Sequence, residues 1–212
     1  MLEFKNGWLV GMEKAPKTSP NHGGKLVAPK FIVAHWTGGH SFDGAMSWLT
    51  NPKAKASAHF VVGRAGELAQ LVPIDVVAWH AGVSRWEVKD DEGKSVVYVG
   101  LNKHALGIEF VNCGRLLGTE GGTFVSAAGH VVDSSEVVRA AWDGRYYQTY
   151  SEEQLEKGVE LMVALKAHIE SIEDVIGHHD VAPNRKLDPG PVFPIAHFRG
   201  KLFGRHDPED VG

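Results

Sequence analysis

The sequence predicts an α/β domain, a central mixed β-sheet flanked by helices, with a site in a cleft at the strand ends. Three observations predict it. Short apolar runs, "KFIVAHW" (Lys30 to Trp36), "ALGIEFVN" (Ala105 to Asn112) and "DVIG" (174–177), read as buried strands. Helical patterns fall between such runs, which is the arrangement of a sheet layered with helices. His35 stands where one run gives way to a glycine turn and His178 directly after the Gly177 that ends another, and strand ends of an α/β sheet are where sites are built.

The elements follow in order. Residues 1–29 are polar and rich in Gly, Pro and Lys, and read as a lead-in. After the first strand, "SFDGAMSWLTNP" reads as a short helix with Ser41 as N-cap and Pro52 as its stop. "SAHFVVGRAGELAQLVP" reads as a hairpin turning at residues 63–66. Residues 113–150 are Gly-rich with alternating stretches and read as an inserted hairpin or decorated loop. Ser151 opens a helix, with Gln154 as capping-box partner and Leu155, Val159, Met162 and Ile169 on its apolar face. No repeat or linker divides the chain, so residues 1–212 are expected to form one domain.

Composition narrows the function classes. With 43% hydrophobic and 23% charged residues, the 212-residue chain can bury an ordinary globular core. No apolar run approaches the roughly 18 residues of a membrane helix, so membrane insertion is not expected. A net charge of -4, spread along the chain, offers no basic stripe for nucleic acid. The N-terminus lacks the apolar stretch of a signal peptide, so the chain is expected to be cytoplasmic as synthesised, with leaderless export or release at lysis as other routes. Its single cysteine, Cys113, excludes an internal disulfide and a Cys-based zinc finger. With 12 histidines, a metal would be held by imidazole and carboxylate, a set that suits catalytic zinc.

Several residues are candidates for chemistry. His35 and His178 stand at strand ends, and Asp188 follows across a Pro-rich loop. Two imidazoles and a carboxylate make a three-ligand zinc set with the fourth position open. The competing reading of this spacing is a pair of core or capping histidines. Glu109, inside an apolar strand, either faces solvent while Ile108 and Phe110 point inward, or serves as a base. Lys186 is either a surface charge or a stabiliser of a developing oxyanion. Cys113 reads as an inert small residue rather than a thiol nucleophile.

Five segments in order, "IVAHWTGG", "SAHFVVGRAGELAQLVP", "AWHAGVSRW", "NKHALGIEFVN" and "GHHDVAPNRKLDPGPVF", resemble the zinc-dependent N-acetylmuramoyl-L-alanine amidases of type 2. The likeness covers roughly residues 30–198. It implies one Zn2+ per chain on His35, His178 and Asp188, with His179 not a ligand. It further implies Glu109 as catalytic acid/base, Lys186 as oxyanion stabiliser, and peptidoglycan or muropeptide as substrate. The bond cut in that family joins N-acetylmuramic acid to L-alanine. Relatives that bind peptidoglycan without cutting it give the alternative, a recognition module, although those typically lack a ligand; an amidase acting on another amide is a third reading.

Trp36, Trp79, His80 and Asn112 are the candidate substrate contacts, with packing as the competing role for His80 and Trp79. His59 reads as structural, and Asn102 as a polar group near the Glu109 strand. His40, His104, His179 and Arg185 lie near the expected site without a definite role. His22, His130, His168, His197 and His206 read as surface or packing residues. Oligomeric state is not readable from the sequence.

Overall fold

The computed structural model describes residues 2–11, 18–90, 92–119, 122–141 and 143–204; His206 lies outside them. The chain starts with a small hairpin, β1 (Phe4–Lys5) and β2 (Trp8–Leu9), and then β3 (His22–Lys25). The expected lead-in is thus built into the domain. Phe4 packs edge-on against Phe60, and the Leu9 N–H donates to Gln70 Oε1. β4 (Phe31–Trp36) leads to α1 (Phe42–Leu49), whose N-cap Ser41 accepts from the Gly44 N–H. β5 (Phe60–Val62) and β6 (Leu68–Gln70) form the expected hairpin, followed by β7 (Val76–Ala78), which pairs with β3. A second hairpin, β8 (Arg85–Lys89) and β9 (Ser95–Val99), precedes β10 (Ala105–Phe110).

Residues 113–150 hold more structure than a hairpin or loop. They contain β11 (Arg115–Gly118), β12 (Phe124–Ser126), β13 (Val131–Val132), β14 (Val137–Arg139) and β15 (Tyr146–Gln148). These form a separate antiparallel sheet in the order β13-β12-β11-β15-β14. Its strands are too short to carry a clear period of two, which is why the sequence under-reads it. Cys113, Leu116 and Val132 give it a small core of its own. Then come α2 (Glu152–His168), β16 (Asp174–Gly177), the single turn α3 (His178–Val181) and α4 (Ile195–Phe203).

The main sheet runs β16-β4-β10-β5-β6. β16, β4, β10 and β5 are parallel, and β6 returns antiparallel at one edge, so the sheet is mixed. Strand alternation gives it two faces. Ile32, Ala34, Leu106, Ile108 and Phe110 pack under α2 and α4, against Leu161, Met162, Leu165 and Phe198. Burying each such large side chain contributes roughly 1.5–3 kcal/mol. The alternate residues, Phe31, Val33 and His35 on β4 and Ala105, Gly107 and Glu109 on β10, face the other way. In the parallel register Glu109 lies directly beside His35. The fold therefore sets both groups side by side at the C-terminal ends of adjacent strands.

The α2 start departs from the expected reciprocal cap. Ser151 Oγ accepts from the Gln154 N–H, but the Gln154 side chain turns inward and donates to the carbonyls of Val62 and Val111. Open strand-end carbonyls in the core outcompete the helix terminus for that amide. On the apolar face Met162 is fully buried along with Leu161 and Leu165, whereas Leu155, Val159 and Ile169 are half-buried at its edges.

Candidate metal centre and catalytic cleft

Three elements converge on one point. β4 delivers His35, the β16–α3 junction delivers His178, and the Pro-rich loop after α3 delivers Asp188. His35 Nδ1 lies 2.9 Å from His178 Nδ1 and 3.0 Å from Asp188 Oδ2, and His178 Nδ1 is 2.8 Å from that same oxygen. All three residues are buried, and among the described residues they form the one group of three metal-donor side chains. Two imidazole nitrogens face to face need a proton or a cation between them. Burial pushes the His35 pKa down to about 4, so its ring is neutral with a lone pair to offer. Burial opposes charge on Asp188 too, but its hydrogen bonds with His178 and His35 outweigh this and hold its pKa well below the usual carboxylate range. Two imidazole nitrogens and one carboxylate oxygen are the donor set of a catalytic zinc site, so these residues fit that ion.

The loop holding Asp188 is tied down from two sides. The backbone N–H of His179 and its ring Nδ1 both donate to the Asp188 carbonyl, at 2.8 and 3.1 Å. Tyr150 donates its hydroxyl to the next carbonyl, that of Pro189, at 2.7 Å. Of the doubled histidines, His178 points into the donor cluster and His179 supports the Asp188 backbone.

Glu109 borders the same cleft. Its side chain is half-buried, with one edge toward the opening, yet Oε2 is shut from solvent and has no hydrogen-bond partner. Burial, reinforced by the Asp188 charge, pushes its pKa well above the usual value, and the Lys186 ammonium partly offsets this. Alternation does turn Ile108 and Phe110 inward, as the solvent-facing alternative required, but the opposite side of the strand is roofed by the cleft. An unpartnered buried carboxyl beside a metal-donor set is equipped to exchange a proton with something that enters.

The cleft has a volume of about 520 Å³, within the usual range for a small-molecule site. Lys186, Trp36, Trp79 and Trp48 are among its lining residues. Trp79 and Trp48 are 39% and 58% exposed, unusual for large aromatics. The sequence reading missed Trp48. Its place on α1, within the same turn as buried Ala45 and Leu49, gives no local signal that it lines a cleft. Trp36 is wedged between Gly114 and Gly190, where added Cβ atoms would come within 2.6 and 2.4 Å of the indole. Both glycines also have positive φ, so the wedge excludes ordinary side chains at both positions.

Two expected substrate contacts have other duties. Asn112 is fully buried; its amide donates to the carbonyls of Gln148 and Thr149, and its oxygen accepts from the Gly114 N–H. It anchors the inserted sheet to the end of β10 and has no surface for a ligand. His80 borders the cleft, but both of its ring nitrogens are engaged. Nδ1 lies 3.1 Å from His35 Nε2, and Nε2 lies 3.3 Å from the Ala105 carbonyl. Its ring sits directly over Gly107, where a Cβ would come within 2.4 Å. Both arrangements share a cause: a polar residue in a site motif satisfies neighbouring protein groups as readily as a ligand. His59 is fully buried, accepting at Nδ1 from the Gly107 N–H and donating from Nε2 to the Val76 carbonyl. Farther out, His40 stacks on His130 at 3.7 Å, joining the cleft rim to the inserted sheet.

The sequence profile of the N-acetylmuramoyl-L-alanine amidases matches residues 25–191, a span containing His35, Glu109, His178, Lys186 and Asp188. The chain belongs to that family. It is accordingly an amide hydrolase of the class that cuts between N-acetylmuramic acid and L-alanine. The 1,6-anhydro-N-acetylmuramyl-L-alanine amidase AmpD of Escherichia coli K12 is 28% identical, over 92% of this chain and 94% of its own length. The amidase AmiD of the same organism is 29% identical over 78% of this chain but only 50% of its own length. A crystal structure of an AmpD derivative shares the fold, with a TM-score of 0.64 at 24% identity, covering 94% of this chain and 99% of that one. AmiD from E. coli in complex with anhydro-N-acetylmuramic acid-L-Ala-D-gamma-Glu-L-Lys gives a TM-score of 0.60 at 25% identity, covering 97% and 66%. Among the described residues no helix is long and apolar enough to cross a membrane.

Proposed function

We propose that the amidase is zinc-dependent, that His35, His178 and Asp188 hold the ion, and that soluble 1,6-anhydro-muropeptides are its substrates. The observation that carries this reading is the unpartnered Glu109 carboxyl in the same cleft as the three-donor cluster. Zinc bound there would lower the pKa of a water to about 7 and polarise the scissile carbonyl. Glu109 takes the proton of the attacking water and delivers it to the departing amine of L-alanine, which needs a proton to leave. Burial raises its pKa, which strengthens its hold on the proton taken from the water until the amine accepts it. Lys186 neutralises the charge growing on the carbonyl oxygen. Trp48 and Trp79 give the sugar or stem peptide flat apolar walls to lie against.

The complete set of donors, base and ammonium favours catalysis over binding alone. The choice of soluble fragments rests on the AmpD relative, which this chain matches over nearly the whole length of both. Incubating the protein with anhydro-muropeptides and, separately, with intact sacculi, then identifying products by mass spectrometry, tests the proposal. Free stem peptide from the soluble fragments alone is the expected result. Release from sacculi at a comparable rate would reassign the enzyme to the wall, and binding without release from either would leave a recognition module.

A further inference from the structure

Both ligating imidazoles aim Nδ1 at the metal position, so each must carry its proton on Nε2, and that proton needs an acceptor. For His35 the acceptor is His80 Nδ1 at 3.1 Å, and for His178 it is the Ala81 carbonyl at 3.2 Å. These acceptors belong to consecutive residues of one loop between β7 and β8. A single short segment thus fixes tautomer and aim for two ligands that lie 143 residues apart in sequence. Arg185 grips the same segment, donating to the carbonyls of Ala81 and Val83 at 2.8 and 2.6 Å.

The backbone N–H groups of this segment are held by one atom. The backbone N–H groups of His80 and Ala81 both donate to Asn102 Oδ1, at 3.1 and 2.6 Å. Asn102 stands in the single helical turn 101–103, immediately before the strand that carries Glu109. It is absent from the lining of the cleft. Resting on the proposed metal-binding reading, we infer that Asn102 is a positioning residue. By pinning residues 80–81 it orients both histidine ligands and couples them to the Glu109 strand, without touching metal or substrate.

The test measures zinc affinity by chelator competition on the full-length protein and on Asn102→Ala and Asn102→Asp. The melting temperature of each is recorded with and without zinc. Asp keeps an oxygen where both N–H groups need it, and Ala does not. Supporting groups of this kind affect metal affinity by about 10–100-fold, so Asn102→Ala is expected to bind zinc more weakly by that factor, with a smaller zinc-induced rise in melting temperature. Asn102→Asp is expected to stay within about threefold of the parent, because its carboxylate accepts the same two bonds. Should the Ala variant not fold, Asn102→Ser, whose hydroxyl falls short of the two N–H groups, is expected to show the same loss. A purely structural role would lower the zinc-free melting temperature and leave affinity unchanged; that result overturns the inference, as does an Asp variant as weak as the Ala variant. A parent protein that binds no zinc overturns the metal reading itself, which separates the two failures.

Discussion

Replacing Glu109 by Gln should lower activity and raise stability together. Gln keeps the shape and the polar contact but cannot take a proton, so the loss is that of a general acid/base, about 10²–10⁴ in kcat. This corresponds to roughly 3–5 kcal/mol in the barrier. Stability moves the other way because Oε2 of the half-buried Glu109 is shut from solvent without a partner. A carboxyl whose pKa is higher folded than unfolded keeps its proton in the folded state where the unfolded chain has released it. Stability therefore falls as pH rises from the ordinary value of 4.5 to the raised one, by about 1.4 kcal/mol per unit. The cleft is open at one edge and screens part of this, so zinc-free Glu109→Gln is expected to be more stable than the parent at pH 7 and no more stable at pH 4. Denaturant titration at pH 4 and pH 7 reads the stability, and single-turnover hydrolysis of a muropeptide reads the rate. Zinc affinity should be unchanged, since Glu109 lies outside the donor cluster. A variant hydrolysing at the parent rate would remove Glu109 as the base. A variant less stable than the parent at pH 7 would show that the carboxyl has a partner in solution that the structure does not reveal.

Three further outcomes are expected. His178→Ala should weaken zinc binding by at least ~10²-fold, whereas His179→Ala, which leaves the backbone bond to Asp188 in place, should stay within about tenfold; equal losses in a chelator titration would contradict the division of labour between them. Trp48→Ala should raise KM about tenfold with kcat nearly unchanged, through lost stacking area, and an unchanged KM would remove it from the substrate wall. His59 is neutral when buried, with a pKa lowered from 6.5 to about 4. The unfolded chain gains its proton first as pH falls, so this group costs roughly 3 kcal/mol of stability between pH 6.5 and pH 4, and nothing above 6.5. His59→Gln should therefore show a shallower loss over that window in zinc-free denaturation, and an equal slope would refute the assignment.

The legible parts of the molecule were those where one physical rule dominates. The β4 and β10 strands announce themselves as apolar runs because both their faces are buried, and His35 and Glu109 stand out as polar residues within them. Asp188 and Lys186 came from motif order, since nothing in spacing alone selects one carboxylate from a loop. The inserted sheet was under-read because strands of two to four residues, many half-exposed, leave too little periodicity. Asn112 and His80 are ambiguous in the sequence for a related reason. Sequence shows that a polar group is near the site, but only the fold shows whether backbone or ligand satisfies it. Gln154 illustrates the same competition inside a helix cap. Trp48 and the two hydrogen bonds accepted by Asn102 Oδ1 depend on three-dimensional neighbours far apart in sequence, and no local pattern carries them.

The central claim is that His35, His178 and Asp188 together hold one zinc ion. The most direct measurement is an anomalous difference map collected at the zinc edge from crystals of the zinc-loaded protein. The account predicts a single strong peak about 2.0–2.2 Å from His35 Nδ1, His178 Nδ1 and an Asp188 carboxylate oxygen, with Glu109 facing its open side. A peak held by His179 or by another set of residues, or no peak from protein that hydrolyses muropeptides at full rate, would contradict it.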